Sequence, residues 1–152
     1  YCDNSGIDGG SGVPNIEPDG PCDPGHFCPA GSSGPADNDC PIGTYSNLTN
    51  LTHSEECFDC TVGHYCPSAA MTTPTECDPG DFQNLTGTSA CTECHEGYYC
   101  PTSGLVDELP CGVGYFSGPG ATICTPCTQG YYCPSNTTNT SSLIQCDAGL
   151  YC

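Results

Sequence analysis

Cys94-His95-Glu96-Gly97-Tyr98-Tyr99-Cys100-Pro101 is the stretch on which the fold turns. A glycine three residues after a cysteine is what a tight turn with positive φ demands, and the aromatic two residues further on can lie over a neighbouring disulfide in place of a core. The same Cys-x2-Gly-x-(Tyr/Phe) pattern begins at Cys22, Cys40, Cys60, Cys77, Cys94, Cys111, Cys127 and Cys146. Its glycines are Gly25, Gly43, Gly63, Gly80, Gly97, Gly114, Gly130 and Gly149, and its aromatics are Phe27, Tyr45, Tyr65, Phe82, Tyr99, Phe116, Tyr132 and Tyr151.

The half-repeats alternate in kind, giving a larger period of about 34 residues. In one kind the aromatic is followed at once by cysteine, as in the Cys-x5-Cys spans from Cys22 to Cys28, Cys60 to Cys66, Cys94 to Cys100 and Cys127 to Cys133. In the other the next cysteine comes much later, as from Cys40 to Cys57, Cys77 to Cys91 and Cys111 to Cys124, and a Cys-x2-Cys step leads into the next short span. The chain therefore divides into a Gly/Pro/Asp-rich loop at 1–21 joining an upstream repeat, a variant repeat at 22–56, and repeats at 57–90, 91–123 and 124–152. The last is expected to continue beyond the residues given.

Composition fits this reading. Among 152 residues there are 17 Cys, 20 Gly and 15 Pro, with aromatics at only 9%, too little hydrocarbon for one large core. Cysteine at about 11% marks a disulfide scaffold and an oxidising compartment. No stretch keeps a helical period, and Gly, Pro, Asn, Asp, Ser and Thr interrupt every segment. The expected fold is small and disulfide-rich, an elongated tandem array of short β-hairpins and turns with little or no helix. No run approaches the length of a membrane span and no basic-then-apolar leader opens the sequence, so a mature piece of an exported protein is expected, without membrane insertion.

Charge excludes a further class of partners. Eighteen carboxylates face no Lys or Arg, a net charge of −18, which repels nucleic acid and anionic membranes. Such a chain should recruit counter-ions, with weakly bound Ca2+ the most specific form. Asp3, Asn4 and Asp8, or Asp37-Asn38-Asp39, supply oxygen ligands, but neither follows the spaced acids of a twelve-residue calcium loop. No dedicated metal or cofactor is expected.

Pairing arithmetic leaves two schemes open. In the first, each Cys-x5-Cys closes on itself and each long arm closes on its next cysteine, so that Cys22, Cys28, Cys40, Cys57, Cys60, Cys66, Cys77, Cys91, Cys94, Cys100, Cys111, Cys124, Cys127, Cys133, Cys146 and Cys152 all pair. In the second the bonds cross, Cys57 with Cys66 and Cys60 with Cys77. Cys2 stays unpaired within the chain; by analogy with Tyr151-Cys152 it closes a loop with an upstream cysteine, or else it is a free or intermolecular thiol. The Cys-x2-Cys pairs read as disulfide partners rather than zinc knuckles or redox centres, because acceptor sites for sugar surround them and no basic neighbour lowers a thiol pKa.

Segments such as Cys94-His-Glu-Gly-Tyr-Tyr-Cys100-Pro and Cys40-Pro-Ile-Gly-Thr-Tyr45 resemble the ephrin-receptor-like and tumour-necrosis-factor-receptor-like cysteine-rich repeats, as found in tandem in large protist surface or flagellar-hair proteins. The resemblance spans about residues 22–152. It implies that an arm such as Cys77 to Cys91 is closed by one disulfide around its Gly-x-aromatic turn, in line with the first scheme. The Cys-x5-Cys loop departs from the receptor modules, so the likeness implies architecture and not a partner.

Five Asn-x-Ser/Thr acceptors stand at Asn47, Asn50, Asn84, Asn136 and Asn139, out of eight asparagines, and predict N-linked glycans. Thr137-Thr138 and Ser141-Ser142 are residue types that also carry O-linked sugar. His26, His53, His64 and His95 read as exposed turn residues, and no nucleophile-and-base arrangement or phosphate loop is present, so no enzymatic activity is expected. The function expected is a structural segment of an extracellular, cell-surface, N-glycosylated repeat rod that joins copies of itself or other fibre subunits; the absence of trypsin sites suits a durable filament. The alternative is a ligand-binding or adhesive receptor ectodomain that grips its partner with tyrosines such as Tyr98 and Tyr131.

Overall fold

The computed structural model describes residues 20–134 and 144–147. Cys2, the greater part of the loop at 1–21, the sequons at Asn136 and Asn139, and the closure of Cys146 on Cys152 lie outside the described residues.

Each motif glycine does what its position requires. Gly25, Gly43, Gly63, Gly80, Gly97, Gly114 and Gly130 have φ between 76° and 101°. The amide after each is placed for a bond back to the residue after the cysteine: His26 N to Asp23 O at 3.1 Å, Thr44 N to Pro41 O at 3.0 Å, Asp81 N to Asp78 O at 3.0 Å and Tyr98 N to His95 O at 3.1 Å. A four-residue turn with glycine at its third position and positive φ there is of type II, and Pro24 and Pro79 occupy the second position, where proline is pre-set for it.

The turn launches a strand of two residues. His26–Phe27 pairs with Asn38–Asp39, Thr44–Tyr45 with Phe58–Asp59, His64–Tyr65 with Thr75–Glu76, and Asp81–Phe82 with Thr92–Glu93. Tyr98–Tyr99 pairs with Leu109–Pro110, Tyr115–Phe116 with Thr125–Pro126, and Tyr131–Tyr132 with Ile144–Gln145. These seven two-stranded antiparallel hairpins are too short to stand alone in water. The described helical content is the 3-10 turn Ser54–Glu56, and among the described residues no helix is long and apolar enough to cross a membrane.

Sulfur takes the place of hydrocarbon. The disulfides among the described residues are Cys22–Cys28, Cys40–Cys57, Cys60–Cys66, Cys77–Cys91, Cys94–Cys100, Cys111–Cys124 and Cys127–Cys133, local pairs rather than crossed ones. Their Cα atoms stand 5.8 to 6.2 Å apart, inside the range a disulfide bridges. By the chain-entropy account each long arm contributes about 3 kcal/mol. Cys40, Cys60, Cys66, Cys77, Cys94, Cys100, Cys111 and Cys133 head the fully buried side chains. Leu51 and Phe82 are the buried hydrocarbon side chains among the described residues, and both sit against cysteine: Leu51 with Cys40, Cys57 and Phe27, and Phe82 with Cys94, Cys100 and Leu105.

Two compact units result. The first takes the described residues through Thr61 together with Tyr65–Thr75 and Thr86–Ala90; the second takes Val62–His64, Glu76–Leu85 and the described residues from Cys91 onward. Within the first, four backbone bonds tie one half-repeat to the next: Gly25 N to Ser46 O, Cys40 N to Gly25 O, Cys28 N to Leu51 O and Asn50 N to Cys22 O, all 2.8 to 3.0 Å. They recur one half-repeat on as Gly43 N to Cys66 O, Cys60 N to Gly43 O, Ser46 N to Met71 O and Ala70 N to Cys40 O. Within the second unit the same four appear as Gly80 N to Cys100 O, Cys94 N to Gly80 O, Gln83 N to Leu105 O and Gly104 N to Cys77 O, and again from Gly97 to Ser117. The backbone step is therefore about 17 residues, and the 34-residue period of the sequence reflects only the alternation of disulfides.

The closest backbone approach lies at the motif glycines. A β-carbon on Gly25, Gly43 or Gly63 would collide with the carbonyl of Ala70, Gly87 or Gly104 respectively, whereas one on Gly114 would meet nothing within 4 Å. Gly63→Ala should therefore cost about 3 kcal/mol or more, from positive φ and the collision together, and Gly114→Ala about 1 to 2 kcal/mol, from φ alone. Amide exchange under non-reducing conditions checks this: Gly63→Ala should strip protection from residue 63 and Cys77, and equal losses in the two variants would refute the contact.

Candidate functional site

The distinctive chemistry of the described residues lies on the turns that carry the sequons. In the half-repeat starting at Cys40 the residue after the aromatic is Ser46, fully buried, and its Oγ accepts the Leu48 amide at 3.1 Å. In the half-repeat starting at Cys77 the equivalent residue is Gln83, also buried, and its Oε1 accepts the Leu85 amide at 3.0 Å. Each short side-chain turn projects its central residue outward, and that residue is Asn47 in one and Asn84 in the other. The sequons Asn47-Leu48-Thr49 and Asn84-Leu85-Thr86 are exposed along their whole length. In the third arm Ser117 Oγ instead donates to Tyr98 O at 2.6 Å, and Gly118 and Pro119 follow, offering neither asparagine nor amide.

Asn50 occupies a different place. Its φ is 66°, and its N–H is the donor to Cys22 O in the ladder. Ala70, Gly87, Gly104 and Gly120 hold the equivalent position with φ between 58° and 69°. Leu51 is buried, forms a parallel bridge with Phe27 and accepts the Cys28 amide through its carbonyl. Thr52 and His53 donate their amides to the Glu56 carboxylate, and Thr52 Oγ1 lies 2.8 Å from His53 Nδ1 and 3.3 Å from Glu56 Oε2. The left-handed residue at this position had no marker in the sequence where it is asparagine or alanine rather than glycine.

Two of the four histidines differ from the sequence expectation, while His53 and His95 are exposed and lie outside the strands. His26 and His64 lie in strands and are half-buried, not in exposed turns, because the residue after the motif glycine is already the first of the hairpin. There each faces the acid that ends the opposing strand: His26 Nδ1 is 3.0 Å from Asp39 Oδ1, and His64 Nε2 is 4.0 Å from Glu76 Oε1. His95, on the turn itself, holds Glu108 through its ring at 3.0 Å and its amide at 2.7 Å.

The Asp37-Asn38-Asp39 oxygens do not converge. Asp37 takes the Ser33 amide and hydroxyl, Asn38 donates to Phe27 O at 3.3 Å, and Asp39 faces His26. Hydrogen bonds from Ser33 hold the Asp37 carboxyl below its ordinary value, and those from the Thr52 and His53 amides do the same for Glu56. Among the described residues no three His, Cys, Asp or Glu side chains gather as metal ligands. Tyr98 is half-buried, while Tyr115, Tyr131 and Tyr132 are more than two-fifths exposed.

Comparison of the chain with protein-family models gives no match, and no curated protein matches it in sequence.

Two outcomes follow from this geometry. Glu56 is depressed in the folded chain, so its contribution is complete above its unfolded pKa and lost as pH falls through the lower folded value. The Thr52 and His53 amide resonances should accordingly shift together at a pH below the ordinary glutamate value of about 4.3, and Glu56→Gln should abolish that step. The second concerns reduction. Cys60, Cys66, Cys94 and Cys100 have no exposed surface, whereas Cys91 and Cys124, at the far ends of the long arms, are partly exposed. Limited reduction followed by alkylation and mass mapping should open Cys77–Cys91 and Cys111–Cys124 before Cys60–Cys66 and Cys94–Cys100, since exchange needs access to sulfur; the reverse order would contradict the burial pattern.

Proposed function

We propose that the chain is a structural segment of an extracellular, N-glycosylated repeat protein, a spacer or fibre element at a cell surface. The observation that carries this reading is the repeated set of four backbone hydrogen bonds. Their donors and acceptors are main-chain groups, so further half-repeats can be added with no requirement beyond a turn glycine and its cysteines. Among the described residues, seven disulfides and the exposed sequon asparagines Asn47, Asn50 and Asn84 support an oxidising, secretory origin. A net charge of −18 and a hydrated sugar coat would keep neighbouring strands of such a fibre from adhering nonspecifically.

A second reading draws on the exposed Tyr115, Tyr131 and Tyr132, the kind of side chain that anchors a protein partner. It makes the chain part of an adhesive or ligand-binding ectodomain related to the cysteine-rich receptor repeats. Electron microscopy of the native material separates the two. Regular polymers bearing the chain are expected, and isolated monomers would overturn the fibre reading in favour of the receptor one.

A further inference from the structure

Asn47-Leu48-Thr49, Asn50-Leu51-Thr52 and Asn84-Leu85-Thr86 are the same tripeptide three times over. Any difference in how they accept sugar must come from the fold. We propose that Asn47 and Asn84 are sugar-acceptor sites open in the folded protein, and that Asn50 is an acceptor only before its half-repeat folds, so that folding itself decides whether it is modified. This deepens the glycoprotein reading above and rests on it.

The transfer is a substitution at the anomeric carbon of a polyprenyl-pyrophosphate-linked oligosaccharide. The acceptor Asn Nδ2 forms a bond to that carbon, the carbon–oxygen bond to pyrophosphate breaks, the amide nitrogen gives up one proton, and polyprenyl pyrophosphate departs. The transferring enzyme must bring the Asn amide and the Thr hydroxyl into one site together, which requires the three residues to leave the protein surface as a strand.

At Asn84 nothing buried has to move. Asn84, Leu85 and Thr86 are exposed, with Leu85 at 64%, and the described anchor is the single bond from the Leu85 amide to Gln83. Asn47, Leu48 and Thr49 are held the same way by Ser46, with Leu48 at 49%. At Asn50 the asparagine and Thr52 are exposed as well, but the backbone that carries them and the Leu51 between them are engaged. Presenting it means breaking Asn50 N to Cys22 O and Cys28 N to Leu51 O, drawing Leu51 at 7% exposure off Cys40 and Cys57, and freeing the Thr52 hydroxyl from His53 and Glu56. Two of these bonds belong to the ladder that joins the half-repeats, so Asn50 becomes available only by local unfolding of the first unit.

The test uses the full chain made without sugar, oxidised, and treated with an oligosaccharyltransferase and a lipid-linked oligosaccharide donor, beside the same chain reduced and alkylated. Site occupancy is read by peptide mass mapping. In the oxidised chain Asn50 should be modified at least about tenfold more slowly than Asn84, and in the reduced chain the two should agree within about twofold. An Asn47→Gln variant removes crowding by sugar at the neighbouring site, and Asn50 should stay unmodified in its oxidised form. Equal rates at Asn50 and Asn84 in the oxidised chain would overturn the proposal, as would a reduced chain still unmodified at Asn50, or release of Asn50 by Asn47→Gln alone. If Asn47 and Asn84 accept sugar only after reduction, their part of the proposal fails. If no site accepts sugar in either state, the glycoprotein reading itself falls.

Discussion

Everything in this fold depends on main chain meeting main chain where a β-carbon cannot exist. At Gly25, Gly43 and Gly63 the carbonyl of a left-handed residue further along the chain presses onto the glycine itself. Positive φ at the glycine does two things at once. It closes the type II turn, and it aims the glycine N–H and C=O sideways into the next half-repeat, where they donate to Ser46 O and accept from Cys40 N in the first instance. A side chain at these positions would open the gap over which these bonds are made. Disulfides alone would leave separate loops; the ladder bonds at Gly25 tie its loop to the next half-repeat, and the close contacts at Gly25, Gly43 and Gly63 reach the half-repeat after that.

The alternation of the two disulfide types has a physical counterpart at one position. The residue after the motif aromatic is buried in both kinds of half-repeat, as Cys28, Cys66, Cys100 and Cys133 in one and as Ser46, Gln83 and Ser117 in the other. Where it is cysteine, it closes the short loop. Where it is polar, burial obliges it to find a hydrogen bond, and the nearest partner is a backbone group: Leu48 N, Leu85 N or Tyr98 O. Two of these choices bend the following residues into an outward turn and so create the exposed asparagine. The exposed sequon asparagines Asn47 and Asn84 are thus by-products of the missing short-loop cysteine.

The hairpins and the turn glycines were legible in the sequence because each rests on short-range constraints of a few residues, as Gly97 does between Cys94 and Tyr99, whereas spacing alone left local and crossed sulfur pairing both open. The partners of those glycines were not. That Gly43 meets Gly87 and Gly63 meets Gly104 depends on contacts some forty residues away, and nothing in the local pattern measures that distance. The left-handed position was likewise concealed, because Asn50 and Ala70 fill it in the first unit where Gly87 shares it. The histidines were misread for a related reason, since the turn is shorter than the sequence suggests and His26 and His64 are already strand residues facing Asp39 and Glu76.

Those opposing acids also explain how a chain with no Lys or Arg tolerates its charge. The residue that ends a hairpin and precedes the next cysteine is Asp39 or Asp59 in the first unit and Glu76 or Glu93 in the second. Asp59, Glu76 and Glu93 lie beside the left-handed glycines Gly87, Gly104 and Gly120, and at Gly87 and Gly120 a β-carbon would crowd the acid. Asp59 and Glu76 keep water on their outer side, both being exposed, so neither needs a cation to offset desolvation. A hydrocarbon core of this size would be strained by such repulsion. Cross-links withstand it because a covalent sulfur bridge does not loosen when exposed like charges, screened by salt over about 8 Å, repel one another. Acidity is therefore compatible with this fold for the same reason that the fold can do without a core.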